Sequence, residues 1–259
     1  MAAPTAPPAP KRPDPRPVPR VVTSAQPRPG ARLLRLYRTT IGKKAVMAVT
    51  GIVFLLFLVA HMIGNLKIFY GQAEYDAYAA WLRTMGSPAI PHRWALSLLE
   101  IVLVVSVALH IGSAVELAIR ARRARPVRYL GQPKHGGGRP KQGYASRTMR
   151  TGAILVVVFV LYHLLDLTFG VANPRGIGGD PYGNVVADFH QPVVTIFYAV
   201  SLIVLGLHIR HGVWSALATL GRSNGRREKT INAFAVTFAV ILIAGFLAVP
   251  FGVVTGLVH

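Results

Sequence analysis

The 259-residue chain contains no cysteine. It therefore holds no disulfide, no thiolate-bound metal and no iron–sulfur cluster of its own. Acidic residues are scarce too, with 9 Asp and Glu against 29 Lys and Arg, and charged residues make up only 15% of the chain. Soluble domains carry about 25%. With 52% hydrophobic residues and a positive mean hydropathy, this balance excludes an ordinary soluble enzyme and indicates an integral membrane protein. The opening MAAPTAPPAPKRPDPRPVPR is Pro-rich and lacks an apolar run, so it does not read as a secretory signal. A disordered, basic, Pro-rich cytoplasmic tail is expected over 1–35, with one membrane domain over 36–259.

Five apolar stretches are long enough to cross a bilayer, which takes roughly 20 residues at 1.5 Å each. They lie near 43–69, 94–120, 149–171, 192–219 and 230–257, so the expected fold is all-α, a bundle of five transmembrane helices. The formal charge of +20 is distributed unevenly. Twenty-five of the 29 basic residues fall before span one, between spans two and three, or around the end of span four and the connection to span five; four fall in the alternate segments. That positive-inside pattern places the N-terminus in the cytoplasm and the C-terminus outside. The basic residues thus set topology, with lipid contact a second use. No base-reading motif accompanies them, so no nucleic-acid partner is expected. GQPKHGGGRPKQG (131–143) reads as a flexible inner loop, and QAEYDAY as a loop whose Glu74 and Asp76 are solvated.

Four of nine histidines lie within the apolar runs of the spans, one in each of the first four: His61, His110, His163 and His208, with His211 just beyond the run of span four. A lone intramembrane histidine can be a hydrogen-bond partner for a neighbouring helix. Four on consecutive helices shift the balance, since polar groups in hydrocarbon are costly and usually functional. On the inferred topology, His61 lies about 25 Å and His163 about 20 Å beyond the basic residues that mark the inner boundary. His110 lies roughly 15 Å from its marker, Arg120, and His208 closes the apolar run of span four. The four form an outer pair and an inner pair.

Two levels of paired imidazoles match the axial demand of two bis-histidine haem b groups. Gly64, Gly112, Gly206 and Gly212 lie near these histidines and can admit a porphyrin, or serve the commoner purpose of helix contact. Zinc suits the pattern poorly, because no carboxylate or thiolate lies nearby to complete a tetrahedron. Arg210 and His211 are candidates for a haem propionate. His92 and His190 read as interfacial, His135 lies in the loop and His259 ends the chain.

Four motifs in order, with histidine spacings of 49, 53 and 45 residues, carry a family resemblance. They are H-x-x-x-N at His61–Asn65, the central His110, TG followed by Y-H-x-x-D (Thr151, Gly152, Tyr162, His163, Asp166), and HIRHGVWS from His208 to Ser215. Across roughly 36–257 the chain resembles the single-polypeptide, dihaem cytochrome b membrane anchor of succinate dehydrogenases and fumarate reductases. The resemblance implies that His110 and His208 bind the proximal haem and His61 and His163 the distal one, the pairing already inferred from depth. It implies a flavoprotein carrying FAD and an iron–sulfur subunit docked on the cytoplasmic face, a quinone (menaquinone) as electron acceptor near the outer face, and a multi-pass place in a prokaryotic cytoplasmic membrane. The dicarboxylate chemistry of this respiratory and tricarboxylic-acid-cycle enzyme would then belong to the partners. A higher oligomer of the whole complex is compatible with this.

Some fumarate reductases of that family carry a Glu two residues before the fourth-span ligand, where this chain has Gly206. Their proton route therefore does not transfer. Asn65, Glu100 and Asp166 are the polar groups available in the membrane for quinone or its protons. Two other readings remain: a dihaem quinone-linked anchor of another respiratory dehydrogenase, and a histidine-containing proton channel or transporter. A relay needs titratable groups along one path, whereas these histidines pair at separate depths.

Overall fold

A computed structural model describes residues 35–124, 141–176, 178, 180–219 and 225–259, without the side chains of 141–148, 218–219 and 225–226. The N-terminal tail and residues 131–140 of the expected loop lie outside the described residues; residues 141–143 of that loop belong to a helix.

All regular structure among the described residues is helical. Helix α1 spans Thr40–Leu66 and runs into a 3₁₀ turn, Lys67–Tyr70; α2 spans Gln72–Thr84 and α3 Trp94–Arg123. Helix α4 spans Lys141–His163 and continues as a π turn, Leu164–Thr168; α5 spans Pro181–Phe189, α6 Pro192–Thr219 and α7 Gly225–Val254. The candidate membrane-crossing segments, Thr40–Tyr70, Trp94–Arg123, Met149–Thr168, Pro192–Leu217 and Arg227–Val254, are long and apolar enough to span a bilayer. Their bounds lie within three residues of the sequence expectation. The protein is a multi-pass membrane protein.

These helices form because their backbone polar groups can be satisfied only internally in lipid, and their ends are marked by local chemistry. Thr39 caps α1, its hydroxyl accepting from the Gly42 N–H at 2.9 Å. Asp180 caps α5, accepting from the Gly183 N–H at 2.6 Å with Pro181 in the first turn. Both caps use an oxygen to occupy an N–H that has no intrahelical partner.

Helices α1 and α3 run antiparallel, since Lys43 near the start of α1 pairs with Glu116 near the end of α3 at 2.7 Å. Arg210 near the end of α6 reaches Asn232 near the start of α7 at 3.1 Å. Basic residues thus mark one end of the bundle. The core lies between α6 and α7 and beneath α5, where Tyr182, Val185, Phe189, Tyr198, Leu242, Phe246 and Val253 are buried. Only Ser106 and Ser113 of α3 are buried, and its apolar side chains point outward as lipid requires.

The principal packing pairs are α6 with α7, α1 with α3, α4 with α6, and α1 with α7. Helices α1 and α4 are not among the closely packed pairs, nor are α3 and α6. Those two pairs are the ones that carry His61 with His163 and His110 with His208.

Glu74 and Asp76 correct the sequence reading, because they lie in helix α2 rather than a loop. The Tyr182 N–H donates to Asp76 Oδ1 at 3.0 Å. This carboxylate sits at the N-terminus of α5, where an unpaired N–H and the helix dipole both favour an anion.

Candidate functional site

Near the basic end, Thr50 on α1 meets His110 on α3, with Oγ1 and Nδ1 2.9 Å apart. The Thr50 hydroxyl already donates to the Val46 carbonyl at 2.8 Å, so its oxygen accepts from His110 Nδ1–H. That fixes the tautomer and leaves Nε2 with its lone pair free for a metal. Phe54 stands edge-on to the ring at 5.5 Å. His208 on α6 is close enough to His110 to interact electrostatically, and its Nδ1 is buried with no hydrogen-bond partner. Ser113, one turn beyond His110, is also fully buried with its hydroxyl unpaired. Two orphaned polar atoms in one tier are unusual, since buried polar groups are normally satisfied.

His61 lies eleven residues beyond Thr50 on α1, about 16 Å along the axis. Its ring faces His163 of α4 with centroids 5.8 Å apart and planes at 84°. Phe57 stacks on His61 at 5.2 Å, and Phe246 flanks it at 5.8 Å. Tyr198 on α6 donates to Asp166 Oδ2 at 2.8 Å. Its one proton is thereby committed, so its oxygen faces His163 Nδ1 at 3.4 Å as an acceptor. This again leaves Nε2 unprotonated. The geometry therefore sets two pairs of imidazoles on helices that do not pack closely, in tiers about 16 Å apart.

A facing pair of neutral imidazoles, as His61 and His163 form, can hold a planar metal macrocycle between them; His110 and His208 interact in the other tier. With metal–imidazole bonds of about 2 Å, two rings on opposite sides of one ion stand roughly 6 Å apart between centroids, close to the spacing of His61 and His163. Among the described residues, no three of His, Cys, Asp and Glu converge, so a closed tetrahedral zinc site has no donor set. The glycines divide. A Cβ at Gly64 would meet Tyr78 of α2 at 2.8 Å, and one at Gly206 would meet Ile243 of α7 at 2.8 Å, so these two serve helix contact. At Gly112 and Gly212 a Cβ would meet nothing within 4 Å.

Beyond the outer histidine pair lies a polar cluster that the sequence alone did not reveal in full. The π turn places Asp166 fully inside the bundle, where it accepts from Tyr198 and, at 3.3 Å, from Asn173. Asp188 on α5 is also fully buried. No N–H or O–H reaches either of its oxygens; its partner is the Asp166 carboxyl. Burial and the adjacent Asp166 push the Asp188 carboxyl up to about 8, since two close carboxylates cannot readily both ionise. Asp188 lies on a short helix with no membrane-span signature, so only the tertiary structure brings it to Asp166.

Asn65 accepts from the Tyr75 hydroxyl at 3.4 Å. Burial, Asp76 and Tyr78 push that phenol up to about 12, so it remains a donor. Glu100 is not drawn into this cluster: it is half exposed on α3, 3.7 Å from Arg93. At the basic end Arg210 is exposed and bonded to Asn232, and half-buried His211 lies beside Trp214, with centroids 6.2 Å apart. His190 is exposed and bonds the Val186 carbonyl at 2.7 Å; His92 is also exposed.

No curated protein and no solved structure matches the chain. Residues 121–248, which carry His163, Asp166, Asp188, Tyr198 and His208, match the family described as succinate dehydrogenase/fumarate reductase transmembrane subunit. That stretch takes in α4 and α6 whole and most of α7, just under half of the chain, and is similar to the membrane subunits of succinate dehydrogenase/fumarate reductase.

Proposed function

We propose that this subunit is the dihaem cytochrome b anchor of a succinate:quinone oxidoreductase. His110 and His208 would hold one haem b near the basic end, and His61 and His163 a second near the opposite end. The observation that carries the reading is His61 facing His163 at 5.8 Å across two helices that do not pack closely. The free Nε2 lone pairs that Thr50 and Tyr198 impose on His110 and His163 support it. When bound, haem supplies one-electron transfer between the iron–sulfur partner and quinone.

The chain's own residues position and insulate. Thr50 holds the His110 ring, Tyr198 backs His163, and Phe54, Phe57 and Phe246 keep water from the rings. The basic end faces the cytoplasm, on the positive-inside pattern, and receives the flavoprotein and iron–sulfur subunits. Asn65 and Asp166, near the outer pair, are the quinone candidates, with menaquinone the expected quinone; the exposed pairing of Glu100 with Arg93 makes it the weakest of the three. Arg210 and His211, at the basic end, are the propionate candidates.

A reduced-minus-oxidised visible spectrum of the purified complex tests the assignment. Wild type should show two haem b components. His110→Ala or His208→Ala should remove one of them and leave the other at least partly populated. A colourless complex, or two intact components in both variants, overturns the proposal.

A further inference from the structure

The histidine tiers and the quinone candidates leave one buried ionisable group unused, Asp188. It is fully enclosed, it meets no hydrogen-bond donor, and its neighbour is another fully enclosed carboxyl, Asp166. Two bare carboxylates in contact away from water would repel each other strongly, whereas a single proton between them converts repulsion into a hydrogen bond.

The surroundings favour that one-proton state. From α4 Tyr162 faces the pair, and from α6 Tyr198, which meets His163 on its other side. Tyr75 and Asp76 of α2 lie against α5 near its start, together with His259 after α7. None of these is a permanent cation. Arg175, whose N–H bonds the Asn173 side chain, is committed through its guanidinium to Asp180 at 2.7 Å. Asn173 donates one proton to Asp166 Oδ1 and is also bonded to the Asn184 carbonyl at 3.1 Å. The pair is therefore left to neutralise itself. It is also connected: Asp166 accepts from the Tyr198 hydroxyl, whose oxygen faces His163.

We propose that Asp188 and Asp166 share one exchangeable proton and act together as the proton store of the outer quinone site, with Asp188 the proton-holding residue and Tyr198 the connection to the outer histidine tier. The proposal rests on the quinone-reducing function above. Reduction of a quinone to a quinol takes two electrons and two protons. Both electrons come from succinate oxidation in the partner subunits; the pair gives its proton to one quinone oxygen, water gives the second to the other, and water then reprotonates the pair. The reverse sequence describes quinol oxidation. A cavity of about 310 Å³ beside α5, lined by Gln72, Arg175, Asp180, Tyr182, Val186 and His259 among others, is large and polar enough to hold water at that end of the bundle.

Infrared difference spectroscopy on the purified whole complex tests this directly. Wild type minus Asp188→Asn should show the C=O stretch of a protonated carboxylic acid, shifted on transfer to D₂O and bleached as pH rises past about 8. Asp166→Asn should shift the frequency of the band and lower the pH at which it bleaches, because Asp188 then loses its carboxyl partner while burial still favours its protonated form. In steady state, Asp188→Asn should slow quinone turnover about 100-fold, the scale of a lost general acid, and flatten the pH profile, while Asp188→Glu restores that profile.

Absence of the band in wild type overturns the proposal. So does a band that neither exchanges in D₂O nor responds to pH, since such a proton is structural. The wild-type titration decides the matter even where a variant fails to assemble. The visible spectrum of the same preparations separates the two proposals: a colourless complex removes the dihaem assignment, whereas loss of the infrared band with both haem components intact removes this one alone.

Discussion

Thr50 shows how much of a ligand's chemistry is set by the residue behind it. Its hydroxyl proton is held by the Val46 carbonyl, so the oxygen can only accept from His110. Thr50→Val keeps the shape and removes the acceptor. On the proposed dihaem assignment, retention of the haem at the basic end should then fall about 10- to 100-fold, the usual cost of losing a partner behind a metal ligand, measured as haem released on dilution of the complex. The four histidines were legible in the sequence because each interrupts an apolar run. Thr50 was not, because a threonine in a membrane helix commonly bonds its own backbone, and nothing local shows that another helix brings an imidazole to it. Lys43 is similar: it is 1% exposed yet paired with Glu116, which is 48% exposed. Glu116→Ala would leave that cation buried with only the Tyr37 ring at 4.1 Å. The midpoint of thermal unfolding should fall.

Among the elements, the five spans were readable to within three residues because their length and apolarity answer to the bilayer alone. Helices α2 and α5 were not. They are 13 and 9 residues long, too short to be stable in isolation, and they hold each other through Asp76 and the Tyr182 N–H. The π turn after His163 was equally hidden; it closes with the Phe169 N–H on the Leu164 carbonyl at 2.8 Å, and such turns often occur at functional sites. The seam between α6 and α7 gives a prediction of its own. Gly206→Val should cost about 1–3 kcal/mol by overpacking Ile243, and Ile243→Ala should relieve part of that cost in a double-mutant cycle read by thermal unfolding.

For the molecule as a whole, charge and burial oppose each other along the bundle axis. If the soluble subunits dock on the basic end as proposed, salt should release them from membranes as screening grows; release independent of salt would argue for an apolar interface. The opposite end holds the buried acid pair, with a definite sign for pH. The Asp188 carboxyl is raised in the folded protein from 3.8 to about 8, so the folded state binds the extra proton between those values. Its contribution to stability is complete below the lower value and falls as pH rises towards the upper one. Thermal unfolding of the wild-type complex should therefore drop across that window, and Asp188→Asn should flatten the slope.

Sequence alone determined the membrane class, the five spans and the four histidines, because a hydrocarbon solvent constrains length, polarity and charge placement residue by residue. It also separated those histidines into two levels, since rise along a helix is a local quantity. Tertiary structure alone decided how closely His61 and His163 approach, which hydroxyl backs His110 and which backs His163, and that Asp188, on a helix too short to declare itself, lies against Asp166. Those facts depend on how helices distant in sequence meet, and the physical reason they escape a linear reading is that packing joins residues whose separation along the chain carries no local signal.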